Sequence, residues 1–407
     1  MAIRISTTQT FTQGSSSILE NQSKVNQTQL QLSKGTRILK PSDDPIGAAL
    51  ALDLQKQIDG AVQFIENGRA AETKLVVEET ALNSVTDILQ RIRDLSLQAA
   101  NATLNSEDRA AVNVEIEARL EELIGLANTQ LANGEYLFSG FRSDVKPFTV
   151  DGTGSVNYNG DQGVHMVKVN TSVRVESGNS GDKVFADIQT GNGSFVTAAS
   201  SSNLGTGVIS NAVLTDPTVF VGDVYTVDFS TNGSGNLQYQ ITGANTGPVY
   251  SAPLPLYDED SDINFNGMTF SVSGTPEDGD SFTVEPSFRQ DVFTTVNQIM
   301  SALALPTSTS NLQASFQNAL NLGIQNLDQA LIHIDEVRAS VGSRLNVIQS
   351  EADINESMKV ETESALSLIK DLDYAEAITE LNKRSLALQA AQQSFVQVQG
   401  LSLFEFI

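Results

Sequence analysis

The last 55 residues, 353–407, constrain the fold more than any other part of the sequence. They contain no proline, and their one glycine, Gly400, lies near the end. Apolar residues and one serine recur there at helical steps of three and four: Ile354, Met358, Ala365, Leu368, Leu372, Ala375, Ile378, Leu381, Ser385, Leu388, Ala391, Phe395 and Val398. A helix of about 45 residues would be roughly 70 Å long, too long to bury against one small core and too apolar to stand alone. The stretch therefore predicts one long helix that packs against partners.

Two irregularities mark this predicted helix. Between Leu372 and Leu381 the apolar stripe takes three successive steps of three, which in a coiled coil is a stammer that overwinds it locally. A second apolar set lies off the stripe: Leu386, Ala387, Ala390 and Val396. Together they predict contacts with neighbouring molecules in addition to the chain's own N-terminus.

The N-terminal region carries half of a coiled-coil seam. Its apolar residues are seven apart: Ile18, Val25, Leu32 and Leu39. The partner positions that a full seam needs are polar, at Gln22 and Gln29. This pattern fits either a disordered arm or a helix that becomes ordered only against another element, for which the C-terminal stripe is the obvious candidate.

Helical periodicity also covers much of the remaining chain. Gly35 is a natural helix stop, and Asp44 with Pro45 is a helix start. Further helices are predicted over 48–102, from Ser106 to Asn133-Gly134, over 291–304 and over 311–350.

Residues 141–290 are rich in Gly, Asn, Ser, Thr and Asp. Between these residues lie short runs in which apolar and polar side chains alternate, which predicts strands. Examples are 164–169, 173–175 and 237–241. Two segments, 222–228 and 279–285, resemble each other, with Gly-Asp before alternating inward aromatic and valine residues. The predicted class is therefore α+β, in which both chain ends form α-helical coiled-coil or bundle domains and a mainly β domain is inserted between them. The expected segments are 1–42, the N-terminal helix; 43–140 and 291–352, two halves of a helical rod; 141–290, the β domain; and 353–407, the C-terminal helix.

Composition excludes several classes of function. The chain has no cysteine, so it can form no disulfide, zinc-thiolate site or cysteine nucleophile. A formal charge of −25 opposes binding to nucleic acid or to anionic membranes. No apolar run approaches the length of a membrane span, and the N-terminus lacks the apolar core of a secretory signal peptide. We expect a protein that is cytoplasmic or exported without such a signal.

No motif predicts catalysis or a cofactor. His165 and His333 lack a second metal ligand at strand or helix spacing. The acidic run 257–262 opens like a calcium loop, but Ile263 and Thr269 stand where such a loop needs Gly and Glu. The HExxH, phosphate-loop and GxSxG motifs do not occur. We expect no catalytic residue, metal or cofactor.

Several stretches resemble the bacterial flagellin family. They are 3–7 (IRIST), 32–38 (LSKGTRI), 43–49 (DDPIGAA), 338–346 (RASVGSRLN), 371–377 (DLDYAEA) and 388–391 (LQAA). Segments that are more similar to proteins of the hook–filament junction than to filament-forming members are 134–140 (GEYLFSG), 158–161 (YNGD), 274–282 (GTPEDGDSF) and 401–407 (LSLFEFI).

The resemblance implies a structural role in the flagellum, at the junction between the hook and the flagellin filament. It implies as partners hook-associated protein 1, flagellin, copies of itself in a ring, an export chaperone and the type III export apparatus, and it implies secretion to the extracellular flagellum. A flagellin that forms the filament itself is one alternative. A glycan-binding or hydrolytic protein that uses the β domain is another.

The terminal seams and the resemblance together predict an assembly interface. Its members are Ile18, Val25, Leu32, Ala365, Leu368, Leu372, Ile378, Leu381, Leu388, Phe395 and Val398. Arg91 and Arg93 lie in 90–95 (QRIRDL), which resembles the flagellin segment that makes contacts along the filament.

Overall fold

The structure, a computed structural model, describes residues 7–101, 104–210 and 212–404, with side chains from residue 8 to residue 397. The chain divides into two compact units. We call residues 1–66 and 350–407 the terminal unit and residues 67–349 the central unit. The sequence-based division into five segments stays a prediction.

The described residues form six α-helices: α1 (Thr7–Lys34), α2 (Pro45–Ala99), α3 (Ser106–Ala127), α4 (Val292–Leu303), α5 (Ser310–Lys370) and α6 (Tyr374–Phe404). The boundaries between the two units fall inside α2 and α5. Gly35 ends α1 at a φ of 67°, a conformation that favours glycine. The Asp44 carboxylate accepts a hydrogen bond from the Gly47 amide at 2.9 Å at the start of α2. The predicted stop and start are both confirmed.

The prediction of one uninterrupted helix over residues 353–407 is wrong. Residues before the break belong to α5, and α6 starts at Tyr374. The amide of Leu372 donates to the carbonyl of Gly35 at 3.1 Å rather than to its own helix. The Asp373 carboxylate then accepts from the amides of Ala375 and Glu376 and caps α6. The slip of the apolar stripe therefore coincides with this break and is not a stammer.

Helix α3 begins where the sequence predicts but ends earlier. Asn105 and Asp108 form a capping box at its start. At its end the Asn128 side chain exchanges two hydrogen bonds with the backbone of Phe148, at 2.9 and 3.0 Å. This side chain, which also bonds the Ile124 carbonyl, replaces the continuation of the helix, so the predicted stop at Asn133-Gly134 is wrong by six residues.

The helical core of the central unit is formed by α2, α3, α4 and α5. Its innermost side chains are at most 2% exposed and include Leu82, Leu89, Ile116, Phe293 and Leu327. Phenylalanine rings at positions 138, 148 and 185 pack edge to face with centroids 5.2 and 5.4 Å apart. A π-helical turn at Asp182–Ala186 carries the last of these rings.

The central unit also contains the inserted β region, which has fifteen strands among the described residues. They are β1 (Phe148–Val150), β2 (Val156–Tyr158), β3 (Met166–Lys168), β4 (Arg174–Glu176), β5 (Ile188–Gln189), β6 (Phe195–Ala199), β7 (Val208–Ile209), β8 (Val213–Leu214), β9 (Tyr225–Thr231), β10 (Leu237–Gly243), β11 (Gly247–Pro248), β12 (Asp262–Phe265), β13 (Met268–Ser273), β14 (Ser281–Pro286) and β15 (Arg289–Gln290). An antiparallel sheet has the order β11-β10-β9-β14-β6, and a second has the order β12-β13-β7, with β8 also pairing with β13. The remaining strands pair as β1-β2, β3-β4 and β15-β5.

The two similar segments of the sequence are neighbours in the larger sheet. They contribute β9 and β14, which pair with Val284 opposite Tyr225 and Ser281 opposite Asp228. The aromatic and valine residues of both strands are buried, as the alternation predicts. Each Gly-Asp aspartate bonds backbone amides of an adjoining loop; Asp223, for example, accepts from Asn245 and Thr246.

Glu78 is a buried carboxylate in the central unit. One oxygen accepts a hydrogen bond from Asn179 Nδ2 at 2.7 Å, and the other has no hydrogen-bond partner among the described residues. Burial raises the pKa of Glu78 to about 7, against the opposing effects of Asn179, Arg344 and Lys74. Arg344 itself is held by Glu176, at 2.5 Å. The fold therefore favours the protonated form of Glu78.

We expect Glu78→Gln to stabilise the protein at pH 8. The folded-state pKa lies above the unfolded value of about 4.5, so ionisation of Glu78 lowers the wild-type stability as pH rises from about 4.5 to about 7. Each unit of pKa difference corresponds to about 1.4 kcal/mol, so the gain at pH 8 is up to about 3 kcal/mol. Below pH 4.5 the variant and the wild type should match.

Urea unfolding followed by circular dichroism at pH 4 and pH 8 measures this difference. Glu117→Gln, at an exposed position of α3, is the control and should show no comparable gain at pH 8. Equal stability of Glu78→Gln and the wild type at both pH values would contradict the prediction.

Candidate assembly surface

The terminal unit has few buried apolar side chains and many exposed ones. Its buried apolar residues are Val25, Ile58, Ala61, Ile65 and Ala377. Its exposed large apolar residues are Phe11, Leu19, Leu30, Ile46, Leu50, Leu52, Ile354, Met358, Val360, Leu368, Tyr374, Ile378, Leu386 and Val396. Among the residues with described side chains, five buried apolar positions thus stand against fourteen exposed ones. Such a concentration of exposed apolar side chains is typical of a protein interaction surface.

Helices α1 and α6 pack against each other within the terminal unit. The rings of Phe11 and Phe395 lie 5.3 Å apart. Gly14 lets the second ring approach, because a Cβ at that position would lie 2.6 Å from Phe395 Cδ2. Val25 and Thr28, which are 5% and 2% exposed, complete the buried side of α1. The N-terminal region is therefore a helix ordered against the C-terminal one, and the alternative of a disordered arm is wrong for residues 7–34.

Arg384 ties the two helices together with polar contacts. Its Nη1 donates to the Lys24 carbonyl at 3.1 Å and to the Thr28 hydroxyl at 2.9 Å. Its Nε donates to the Glu380 carboxylate at 2.8 Å. Hydrogen bonds from one guanidinium thus set the register between the helices, since its donors have a fixed geometry.

The segment after α1 is held to the break between α5 and α6. Thr36 and Asp371 form an antiparallel bridge, and the Arg37 amide donates to the Lys370 carbonyl at 2.8 Å. The Arg37 guanidinium donates to the Ile369 carbonyl at 2.9 and 3.1 Å. These bonds satisfy backbone groups at the end of α5 that the helix itself leaves unpaired.

The predicted interface residues separate into two sets. Val25 is buried, and half-buried positions are Ile18, Leu32, Ala365, Leu372, Leu381, Leu388 and Phe395. The exposed positions are Leu368, which is 84% exposed, and Ile378, which is 51% exposed. The side chain of Val398 lies outside the described residues. The off-stripe residues Leu386 and Val396 are 68% and 66% exposed.

Other exposed apolar residues of the terminal unit were missed by the sequence reasoning: Leu19, Leu30, Ile46, Leu50, Leu52 and Val360. Those on α1 lie off the seven-residue stripe that the sequence reasoning followed. A second apolar set along α1, like the one noted on α6, would have indicated them.

Arg91 and Arg93 make ion pairs inside the central unit. Arg91 bonds the Glu115 carboxylate at 2.7 Å, and Arg93 bonds the Asp328 carboxylate at 2.5 Å. The Asp328 hydrogen bond raises the pKa of Arg93. Their guanidinium groups link α2 to α3 and to α5, and a role in contacts along a filament stays a prediction.

The two histidines that the sequence analysis considered as metal ligands contact other residues of the central unit. The His165 ring packs edge to face on Phe141, and His333 Nε2 lies 2.7 Å from the Lys183 carbonyl oxygen. In residues 7–101, 104–210 and 212–404, no three or more His, Asp or Glu residues are grouped as a metal site would need. Within the same ranges, no helix has the length and apolar character needed to cross a membrane.

Comparisons with known proteins identify the relatives of this chain. Residues 5–143 match the bacterial flagellin N-terminal helical region, and residues 324–407 match the C-terminal helical region. The flagellar hook-associated protein 3 of Escherichia coli is 25% identical over 403 residues, which cover 99% of each chain. The crystal structure of hook-associated protein 3 from Legionella pneumophila is 34% identical, with a TM-score of 0.75 over 78% of this chain and 98% of that one. Flagellin A of Vibrio anguillarum is 23% identical over 386 residues, covering 93% of this chain and 92% of the relative.

We expect Gly35→Ala to weaken the contact between the segment after α1 and the break between α5 and α6. An L-residue at a φ of 67° costs about 1–2 kcal/mol, and the new Cβ would lie 2.8 Å from the Tyr374 hydroxyl. The Leu372 amide, which donates to the Gly35 carbonyl, should exchange its hydrogen roughly 5–30 times faster. Hydrogen exchange measured by NMR or mass spectrometry tests this.

The matched control is Gly60→Ala, a helical position of α2 in the same unit with open space around the new Cβ. It should leave that exchange rate unchanged or slow it, because alanine favours the helix by about 1 kcal/mol. An unchanged rate in Gly35→Ala would contradict the role of the glycine.

Proposed function

The chain belongs to the flagellin family and, within it, to the group of flagellar hook-associated protein 3, and from this we propose that it joins the flagellar hook to the flagellin filament. The observation that carries the proposal is the terminal unit, in which α1 and α6 pair and fourteen large apolar side chains of the described residues remain exposed. Similarity over 99% of both chains to a hook-associated protein 3 supports the junction role.

Energetics favour an assembly role for the exposed set. Burying one large apolar side chain contributes about 1.5–3 kcal/mol, while association of two proteins costs about 4–15 kcal/mol in lost freedom of motion. Burial of several of these residues would offset that cost. We propose that Leu368, Ile378, Leu386 and Val396 contact other subunits, while Val25, Phe395 and the other half-buried positions of α1 and α6 hold these two helices together.

The proposed partners are copies of this chain in a ring, hook-associated protein 1 on the hook side and flagellin on the filament side. An export chaperone and the type III export apparatus would bind the chain before assembly. Its proposed location is the extracellular flagellum. We propose no enzymatic activity, cofactor, nucleic-acid partner or membrane insertion, and the named relatives are flagellar structural proteins.

Deletion of the gene tests the junction role. The deletion strain should carry hooks without filaments and should release flagellin into the medium, as electron microscopy and immunoblotting would show. Filaments of normal length on the deletion strain would contradict the proposal. If the purified chain alone polymerised into long filaments, the alternative role of a flagellin would be correct instead.

We expect Leu386→Asp to abolish motility without unfolding the subunit. The side chain is 68% exposed in the isolated chain, so the new carboxylate stays hydrated there and becomes costly only when a neighbour covers it. Leu372 and Leu388 are less suitable because they are half-buried within the subunit. Complementation of the deletion strain, with swimming measured in soft agar, tests the variant.

Gln392→Asp is the matched control, because it makes the same charge change at an exposed position of α6. It should support swimming at or near the wild-type rate. Circular dichroism of both purified variants should match that of the wild type. Normal swimming of the Leu386→Asp strain would remove this residue from the proposed interface.

A further inference from the structure

A cavity of about 540 Å³ lies in the central unit, and none of the residues that line it belongs to the terminal unit. It lies between the first turns of α3 and the segment that joins α4 to α5. Four residues of α3 line one side, Ser106, Arg109, Ala110 and Asn113, and the residues on the other side include Leu303, Thr307 and Ser308. The lining thus combines one cation, hydroxyl groups and apolar surface, the mixture found in ligand sites.

Arg109 is a buried cation without a counter-charge. It is 5% exposed, and no carboxylate of the described residues lies within 4 Å of its guanidinium. Its Nη1 donates to the Leu104 carbonyl at 3.3 Å, and its Cζ lies 5.2 Å from the centre of the Phe316 ring. Its Nε is buried and has no hydrogen-bond partner among the described residues. A guanidinium has five N–H donors, and in Arg109 the Nε–H is left without a protein partner among the described residues.

Asn113 provides a second unpaired group in the same cavity. Its Oδ1 is buried and accepts no hydrogen bond from the described residues. Unpaired buried polar atoms are rare and costly, about 1–3 kcal/mol each. Two residues that line the cavity therefore carry an unpaired buried donor and an unpaired buried acceptor, one turn of α3 apart.

The electrostatic setting favours a single negative charge. A buried ion that lacks a partner costs several kcal/mol, which an anionic ligand would offset. Arg109 is the only Lys or Arg in the lining, and the chain carries −25 overall, so a dianion such as phosphate would be poorly neutralised.

We propose that this cavity binds a carboxylate whose carrier also presents a hydrogen-bond donor. The guanidinium of Arg109 bonds the carboxylate oxygens, and Asn113 Oδ1 accepts from the donor. Leu303 packs against the apolar part of the carrier. A free hydroxy acid offers this chemistry, as does an Asp or Glu side chain of a second copy together with its backbone N–H. The site is independent of the apolar surface proposed for assembly.

Titration of the full-length chain with sodium L-lactate, a hydroxy monocarboxylate, tests the site. The spectra of arginine Nε–Hε groups should show one signal that shifts saturably with lactate and not with sodium chloride at equal ionic strength. No saturable shift, or an equal shift with chloride, would overturn the proposal.

Two variants assign the shifted signal without removing Arg109 from its place over Phe316. Asn113→Asp is isosteric, places a carboxylate beside the guanidinium, and should weaken lactate binding at least tenfold. Arg119→Gln removes a cation from the same helix that pairs with Glu122 and should leave lactate binding unchanged. Equal affinity of Asn113→Asp and wild type would overturn the assignment.

Sedimentation velocity of the full-length chain distinguishes the two sources of the carboxylate. If a second copy supplies it, excess lactate should reduce self-association of the wild type, and Asn113→Asp should self-associate less. If a free acid is the ligand, lactate should bind without changing the sedimentation of the chain. Either result supports the carboxylate site, provided that the lactate-sensitive arginine signal is present.

Discussion

The pairing of α1 with α6 is the contact on which the terminal unit depends. It joins residues more than 300 positions apart, such as Lys24 and Arg384, and closing so long a loop costs about 5 kcal/mol in chain entropy. The folded central unit removes much of this cost, because it brings α2 and α5 together: a Cβ added at Gly68 would lie 3.4 Å from Ile348 Cγ2. The central unit has large cores of its own. The folded central unit therefore favours the pairing of the two chain ends.

Helix α6 uses its apolar residues in two ways. Phe395 packs on Phe11 across the close approach at Gly14, whereas the adjacent Val396 is exposed. A helix that presents apolar residues on more than one face cannot bury all of them against a single partner. For α6 this leaves exposed apolar residues, which we propose are covered by other subunits in the assembled junction. The family membership and this surface lead to the same function by separate arguments.

The central unit buries two ionisable side chains, Glu78 and Arg109, that are costly to remove from water. Burial raises the pKa of Glu78 to about 7, and Arg109 is buried without a partner carboxylate among the described residues. In each case a group that is costly to bury lies at a helix face that an adjoining segment covers. Asn179, Arg344 and Lys74 partly offset the cost of burying the Glu78 carboxylate. Arg109 lines a cavity large enough for a ligand.

The sequence by itself determined the local features. The glycine and proline signals around Gly35 and Pro45 and the alternation in β9 and β14 follow from preferences within a few residues. The repeated apolar step indicated the pairing of the two chain ends as one of two alternatives. The family motifs added the functional role. The tertiary structure decided the break before Tyr374, because the amide of Leu372 bonds a carbonyl from the other end of the chain. It also decided which half of the apolar stripe faces inward and where Arg109 is buried, since burial depends on segments distant in sequence and no local pattern specifies which of them covers a given side chain.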